Sequence, residues 1–294
     1  MSEKFNILIT GTSTGFGRLT AQTLAKDGHT VFATMRGVEG KNQVHANSLR
    51  AWATSNGADL HILELDVTSQ QQIDASVEAA YGIAGSLDVV INNAAVGNVG
   101  VLEGFTVEQA KTIFDVNFFG PYRLIKAVLP MMRERGSGLL ISVSSATGRI
   151  VIPFVAPYSA TKYALEALAE EYAFELAPFG IESVIVEPGS FGTDVFSKLI
   201  EAEDKEVLAG YGEMADMPIN NLKQMAEMLS GPDAPSPQLV ADAIKGLVDT
   251  PQGKRPLRTV VGPLTVAGVE QLNEDYLQAR DAMYAEMGLG QPTE

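Results

Sequence analysis

The sequence predicts an α/β fold: a doubly wound parallel sheet with helices on both faces. Two observations carry this. Apolar, β-rich runs recur along the chain, and stretches with helical spacing separate them in steady alternation, the pattern of βαβ units. The strand candidates are also apolar nearly throughout, as strands covered on both faces should be.

The first strand is "FNILIT" (5–10), with a helix over about 16–27. "TVFATM" (30–35) leads to a helix over about 41–55, and "LHILEL" (60–65) to one over about 70–84. "DVVIN" (88–92) precedes a long helical pattern at about 106–134. "LLISVS" (139–144), a helix at about 158–178 and "ESVIVE" (182–187) complete the alternation. It is unbroken to about residue 187, so residues 1–294 read as one domain without internal repeats. Beyond Gly189 the pattern changes. Residues 194–236 form a long excursion, the usual form of a lid or binding segment. It carries Met214, Met217, Met225 and Met228, which suit either a pliable pocket wall or ordinary helix packing, and it ends in "SGPDAPSP". A helix (237–249) follows. A C-terminal extension from about 255 then supplies a short strand near 258–261 and an amphipathic helix over about 265–287.

Hydrophobic residues make up 46% of the chain, enough for a sizeable core and too many for disorder. The absence of cysteine excludes disulfides, thiolate catalysis and cysteine metal sites. A net charge of −15 argues against nucleic acid or an anionic membrane as partner, since both call for a basic footprint. No apolar run is long enough to span a bilayer, and a strand that begins at Phe5 leaves no room for a signal peptide. The expected location is the cytoplasm.

"TGTSTGFG" (10–17) lies between the first strand and the first helix. Gly11, Gly15 and Gly17 let a backbone turn approach a pyrophosphate, and the helix start offers N–H groups and a positive dipole end. The spacing is G-x-x-x-G-x-G rather than G-x-G-x-x-G, so the context of strand before and helix after carries the reading. Ser13, Thr14 and Phe16 complete the cofactor loop. No acid ends the second strand to take the ribose 2′-hydroxyl of NAD. Arg36 follows Met35 instead, and its guanidinium either clamps a 2′-phosphate or lies in solvent. The missing acid favours NADP(H) over NAD(H).

"YSATK" places Tyr158 and Lys162 four residues apart, on one helix face. A nearby ammonium favours the phenolate, so the pair can exchange a proton with an alcohol or carbonyl without histidine. Ser145, just past a strand, can hydrogen-bond the substrate oxygen. Asn117 lies in an apolar helical stretch and needs a partner; it is either a satisfied buried amide or an anchor for a water chain to Lys162.

The ordered set "TGTSTGFG", "LDV" (65–67), "NNAA" (92–95), Asn117, Ser145, "YSATK" and "PGSFGT" (188–193) resembles the short-chain dehydrogenase/reductase family in its compact single-domain branch. The resemblance covers residues 5 to about 195. "VFATMR", "NFFGPYRLIKAVLPMMR" and the Met-rich segment are most similar to members acting on hydroxysteroids and retinoids. The family implies a Rossmann fold and a single dinucleotide-binding catalytic domain. It implies Tyr158 as acid/base, Lys162 on the nicotinamide ribose, Ser145 on the carbonyl and Asn117 in a proton relay. Asp66 and Val67 would touch the adenine. Asn92 would touch the adenosine side, and Gly189 and Thr193 would flank the nicotinamide. Asn93, Ala94, Ala95, Pro188 and Phe191 would also be among the cofactor-binding residues. Two departures are Ala95, where Gly is usual, and Phe16, which reads as a packing change. A dimer or tetramer would be built on the helices at 106–134 and 158–178, the second of which is rich in alanine.

The activity implied is hydride transfer between NADP(H) and a carbonyl or secondary alcohol. Phe191, Val195, Phe196, Tyr211 and the methionines would form one wall of an apolar pocket, facing Val96, Val99 and Phe154. Two rivals are a catalytically silent NADP(H)-binding regulator and an extended-branch epimerase or dehydratase. The complete Ser–Tyr–Lys–Asn set argues against the first, and the loop spacing and small C-terminal segment against the second. His29, His45 and His61 lack ligand or triad spacing and read as surface or loop residues, and Trp52 reads as packing. Glu166, Glu170, Glu171 and Glu175 read as a solvated or interface face, and no metal is expected.

Overall fold

Seven parallel strands make the sheet in the order β3-β2-β1-β4-β6-β7-β9. A computed structural model describes residues 3–194 and 198–289. The strands are β1 (Asn6–Thr10), β2 (Thr30–Met35), β3 (Leu60–Glu64), β4 (Val89–Asn92), β6 (Gly138–Val143), β7 (Ile181–Pro188) and β9 (Arg258–Val261). The helices between them are α1 (Gly15–Lys26), α2 (Gln43–Asn56), α3 (Gln70–Ala84), α4 (Val107–Phe114), α5 (Gly120–Arg135), α6 (Ala156–Leu176) and α9 (Gln238–Asp249). The C-terminal helix is α10 (Val269–Met287). The alternation predicted from the sequence is therefore observed, with strand and helix ends within three or four residues.

Strand alternation sends successive side chains to opposite faces, and each face has its own core. Ile7, Ile9, Val31, Ala33, Ile91 and Ile141 pack on one side against Leu24 and Ala21 of α1, Leu49 of α2 and Ile244 of α9. Leu8, Phe32, Val90 and Leu140 pack on the other against Ile73 of α3, Leu124 and Val128 of α5, and Tyr172 of α6. Trp52 packs against the first core, as expected of it.

Three features depart from the sequence reading. The long helical pattern at 106–134 is broken by a π-turn at Asp115–Phe119, with Asn117 inside it. The excursion, helical in tendency by sequence and helical in α7 (Lys205–Gly210) and α8 (Met217–Met228), also carries an unforeseen short strand β8 (Ile200–Glu201) that pairs with β5 (Asn98–Val99). That pairing ties the segment to the strand end where the catalytic candidates lie. His29 is fully buried rather than superficial: it stacks on Phe5, and its Nδ1 accepts the Phe5 N–H at 3.1 Å.

Strand order reverses between β1 and β4, and there the glycine loop meets residues 93–94. Gly11 has φ +72°, and a Cβ on it would lie 2.8 Å from Ala94 Cα. A Cβ on Gly17 would run into the Asn93 amide and the Gly11 carbonyl. Gly17→Ala should therefore displace the loop, with an overpacking penalty of about 1–3 kcal/mol. Denaturant melts check the stability loss, and wild-type stability would show that the loop has slack.

Candidate active site

The glycine loop is held from below by the end of β4. The Asn93 and Ala94 N–H groups both donate to Thr10 Oγ1 at 3.0 Å, and Asn93 Nδ2 donates to the carbonyls of Thr10 (2.8 Å) and Gly11 (3.2 Å). Asn93 thus shapes the loop through its side chain. Asn92 is buried, with its Nδ2 unpartnered. Thr14 is the N-cap of α1 but makes no side-chain cap hydrogen bond, which leaves the first-turn N–H groups available to an anion. Lys198, which the sequence reading missed, donates to Thr14 Oγ1 at 3.2 Å and puts a cation at the loop. The Phe16 ring meets Phe191 edge-on at 5.5 Å, consistent with a packing change there.

At the end of β2, Arg36 is half exposed, with Nη1 3.8 Å from Asp66 Oδ2. Burial opposes ionisation of Asp66, but two hydrogen bonds from Thr68 and the charges of Arg36 and Lys41 hold its carboxyl below the usual range. The sequence reading found no acid at this strand end, yet sheet register brings one. Glu64, opposite Met35, accepts the Gly37 and Val38 N–H groups at 2.6 and 2.7 Å. Both its oxygens are engaged by the loop that presents Arg36. The Val67 side chain belongs to the core, so only its backbone is open to an adenine.

The catalytic candidates converge at the end of β6. Lys162 is buried and donates from Nζ to the carbonyl of Val143, the last residue of β6, at 2.8 Å. Ser145 lies two residues on; its Oγ accepts the Thr147 N–H at 3.2 Å and hydrogen-bonds the Tyr158 phenol. Tyr158 sits in the first turn of α6, and its N–H donates to Asn98 Oδ1 at 2.7 Å. Burial, opposed by the Ser145 hydrogen bond, pushes the phenol up to about 12. Burial pushes Lys162 down to about 8, against the charge of Glu166. The ammonium stands 5.5 Å from the Tyr158 ring centre. Lysine tuning of the phenol, expected from the spacing, is therefore not a direct contact here.

Asn117 is buried and fully engaged. Its Oδ1 accepts the Val96 N–H at 2.8 Å, and its Nδ2 donates to the Val96 carbonyl (2.8 Å) and to Thr161 Oγ1 (3.1 Å). It clamps the strand after β4 to α6 from inside the π-turn. Gly189 and Gly192 both touch other backbone: a Cβ on either would strike the carbonyl of Leu264 or Leu229. Pro188 ends β7, with its carbonyl 3.5 Å from Ser145 Oγ. Ala95 is exposed, so its extra methyl does not press into the protein.

The expected apolar wall is only partly assembled. Phe191 is 3% exposed and belongs to the core behind the site, and Met214, Met217 and Met228 point outward. Met225 is half-buried, with Sδ 3.9 Å from Ser190 Oγ. Tyr211 is engaged at the surface by Glu103 (2.6 Å). Val195 and Phe196 lie outside the described residues. On the facing side Val99 is buried, Val96 packs against the core, and Phe154 is half-buried with φ +71°, a strained value for an aromatic residue.

Two further expectations are corrected. Glu166 and Glu170 do not form a solvated face: Arg258 of β9 pairs with both from a position 3% exposed. Only Glu171 and Glu175 are exposed. Among the described residues one group has metal-ligand spacing, Asp27, His29 and Asp249. Lys245 pairs with both carboxylates there, and His29 Nδ1 accepts the Phe5 N–H.

The family model described as short chain dehydrogenase matches residues 6–204. The chain is 36% identical over 259 residues to the 3-ketodihydrosphingosine reductase of Bacteroides thetaiotaomicron, covering 88% of each. It is 38% identical over 198 residues to retinol dehydrogenase 8 of Bos taurus, covering 66% of this chain and 62% of that one. A solved short-chain dehydrogenase from Streptomyces avermitilis superposes with a TM-score of 0.76 at 32% identity, over 98% of both chains.

A buried ammonium opposes folding as long as the folded chain keeps the proton, and stability rises with pH wherever only the unfolded chain still binds it. With a folded pKa of about 8 against 10.5 unfolded, Lys162 carries its full penalty below pH 8 and loses it progressively towards pH 10.5. Lys162→Met should therefore gain stability over the wild type at pH 7, by at most about 3 kcal/mol. The gap should narrow between pH 8 and 10.5. Denaturant melts across that range check the sign, and a pH-independent difference would refute it.

Proposed function

The chain belongs to the short-chain dehydrogenase family, and from that premise we propose that it interconverts a ketone or aldehyde and its alcohol with NADP(H). The observation that carries this reading is the meeting of Ser145, Tyr158 and Lys162 at the end of β6. Across the β1–β4 switch point lies the glycine loop with its uncapped helix start, the usual position for a dinucleotide beside the strand ends.

The bound cofactor would supply the hydride to the carbonyl carbon. Tyr158 gives its proton to the oxygen. The high phenol pKa keeps that proton in place until charge develops on the substrate. Ser145 shares a hydrogen bond with the phenol, so its hydroxyl can reach the same oxygen. Lys162 holds the nicotinamide ribose, and its charge supports the tyrosinate left behind. Because the Asn117 side chain is committed to Val96 and Thr161, any relay role falls to its main-chain carbonyl.

NADP(H) over NAD(H) rests on Arg36, which is half exposed beside Asp66, and on Glu64 being committed to backbone rather than open to a ribose. An apolar, bulky substrate is supported by the few basic residues in the segments around the site. It is also consistent with the named activities of two relatives, a 3-ketodihydrosphingosine reductase and a retinol dehydrogenase. Exposed Phe119 just before α5, exposed Tyr122 of α5, and exposed Ala160 and Ala167 of α6 support a homodimer or homotetramer through these helices. A monomer in sedimentation at roughly micromolar concentration, where such interfaces normally persist, would refute the assembly. No helix of the described residues is long and apolar enough to cross a membrane.

Tyr158→Phe should lower kcat about 10²–10⁴-fold while NADPH still binds, as measured by turnover and fluorescence titration. Near-normal turnover would remove Tyr158 from the role. Arg36→Ala should weaken NADPH at least about tenfold and leave NADH nearly unchanged, the loss expected for a hydrogen bond to a charged group. An unchanged NADPH/NADH ratio of kcat/KM would end the NADP(H) assignment and keep the dehydrogenase one.

A further inference from the structure

Behind the catalytic helix lies a buried charge cluster that the proposed reaction does not use. Glu166 stands one helical turn beyond Lys162 on α6 and is buried. One of its oxygens, Oε1, accepts the hydroxyl of Ser144, the neighbour of Ser145, at 2.6 Å. The other, Oε2, pairs with the Arg258 guanidinium, and Arg149 lies 3.9 Å from it. From β7, fully buried Glu187 takes the same guanidinium nitrogen at 2.7 Å, and Asn273 Nδ2 of α10 at 2.6 Å. Glu170 takes the other guanidinium nitrogen at 2.7 Å and accepts the Tyr276 hydroxyl at 2.6 Å. Asn273 also accepts from Arg149 Nε at 2.7 Å. Gly148 closes over the cluster so tightly that a Cβ there would strike Glu166 and Ser144.

Arg258, Asn273 and Tyr276 all come from the C-terminal extension, beyond the residues that the family model matches. A cluster of this kind is not a device for stability, since apolar residues of the same volume usually do as well. Its geometry has another use. It fixes the turn bearing Ser145 to the helix bearing Tyr158 and Lys162, and it sets a negative charge beside the lysine.

We propose that Glu166 is a positioning residue for Ser145 and Lys162, and that Arg258 of the C-terminal strand is its required counter-ion. The proposal rests on the functional reading above and adds to it a link from the last strand to the chemistry. The three carboxylates Glu166, Glu170 and Glu187 face two guanidinium groups, Arg258 and Arg149, with the Lys162 ammonium alongside. Burial, opposed by Arg258 and reinforced by Glu187, holds the Glu166 carboxyl at about 7. Loss of Arg258 would raise it further and shift Glu166 towards the protonated form at neutral pH. That would remove the acceptor that orients Ser144 and the charge that supports Lys162.

The test compares wild type, Glu166→Gln, Glu166→Asp, Ser144→Ala and Arg258→Met by melting temperature without cofactor and by the pH profile of kcat. Glu166→Gln should lower kcat about tenfold, the loss of one hydrogen bond to a charged group. It should also move the alkaline limb of the profile to lower pH, because Lys162 loses its neighbouring charge. Arg258→Met should move the limb the same way, and Glu166→Asp should restore it. Ser144→Ala keeps the charge, so it should lower kcat without moving the limb. A Glu166→Gln variant that only melts earlier, with the wild-type profile and kcat, overturns the proposal. Should that variant fail to fold, wild-type kcat in Ser144→Ala overturns it instead. A wild-type chain that turns over no carbonyl would overturn the functional reading and this one together, whereas an active one with these variants unchanged overturns this one alone.

Discussion

The Thr10 hydroxyl holds two strand ends together, and the rest of the site depends on it. It accepts two N–H groups from residues 93 and 94, while Asn93 returns two hydrogen bonds to the carbonyls of Thr10 and Gly11. β1 and β4 are neighbours at the point where strand order reverses, so no helix crosses between their ends. This bracing spans the gap left there from below. With it, the glycine turn has a floor, the start of α1 is aimed across the gap, and the end of β6 with Lys162 and Ser145 forms the opposite bank.

The sheet was legible in the sequence because burial on both faces leaves a simple trace, an apolar run of five or six residues. The site residues were legible because short motifs fix them locally: "YSATK" is one turn of helix, and "TGTSTGFG" is one turn of loop. What these residues do to one another was less legible. The spacing of Tyr158 and Lys162 implied a tuned phenol, whereas the fold gives the ammonium to Val143 and the phenol to Ser145. Asn117 looked like a residue in search of a partner, and it has three, supplied by Val96 and Thr161 across the π-turn.

The failures share a cause: they concern side chains whose partners lie far along the chain. Glu64 meets the end of β2 only through sheet register. Glu166 and Glu170 read as a solvated stripe because nothing within their helix reveals Arg258, some ninety residues on. The methionines of the excursion read as pocket lining because composition tells nothing of which way a short helix turns. Three of the four face outward, and Phe191, expected in the same wall, fills the core. Motifs carry chemistry, but the polarity of a helix face is decided by its neighbours.

The position of Arg258 in the chain has a consequence for biosynthesis. A ribosome delivers the catalytic helix and its acidic residues well before the strand that neutralises them, so the nascent chain holds Glu166 and Glu187 without their guanidinium partner. Carboxylates buried without that partner would take up protons instead, so the helix can pack on the sheet early and its charges are set only when β9 joins the edge. A chain that ended before β9 would retain the glycine loop and the tyrosine yet hold Glu166 and Glu187 without the Arg258 guanidinium.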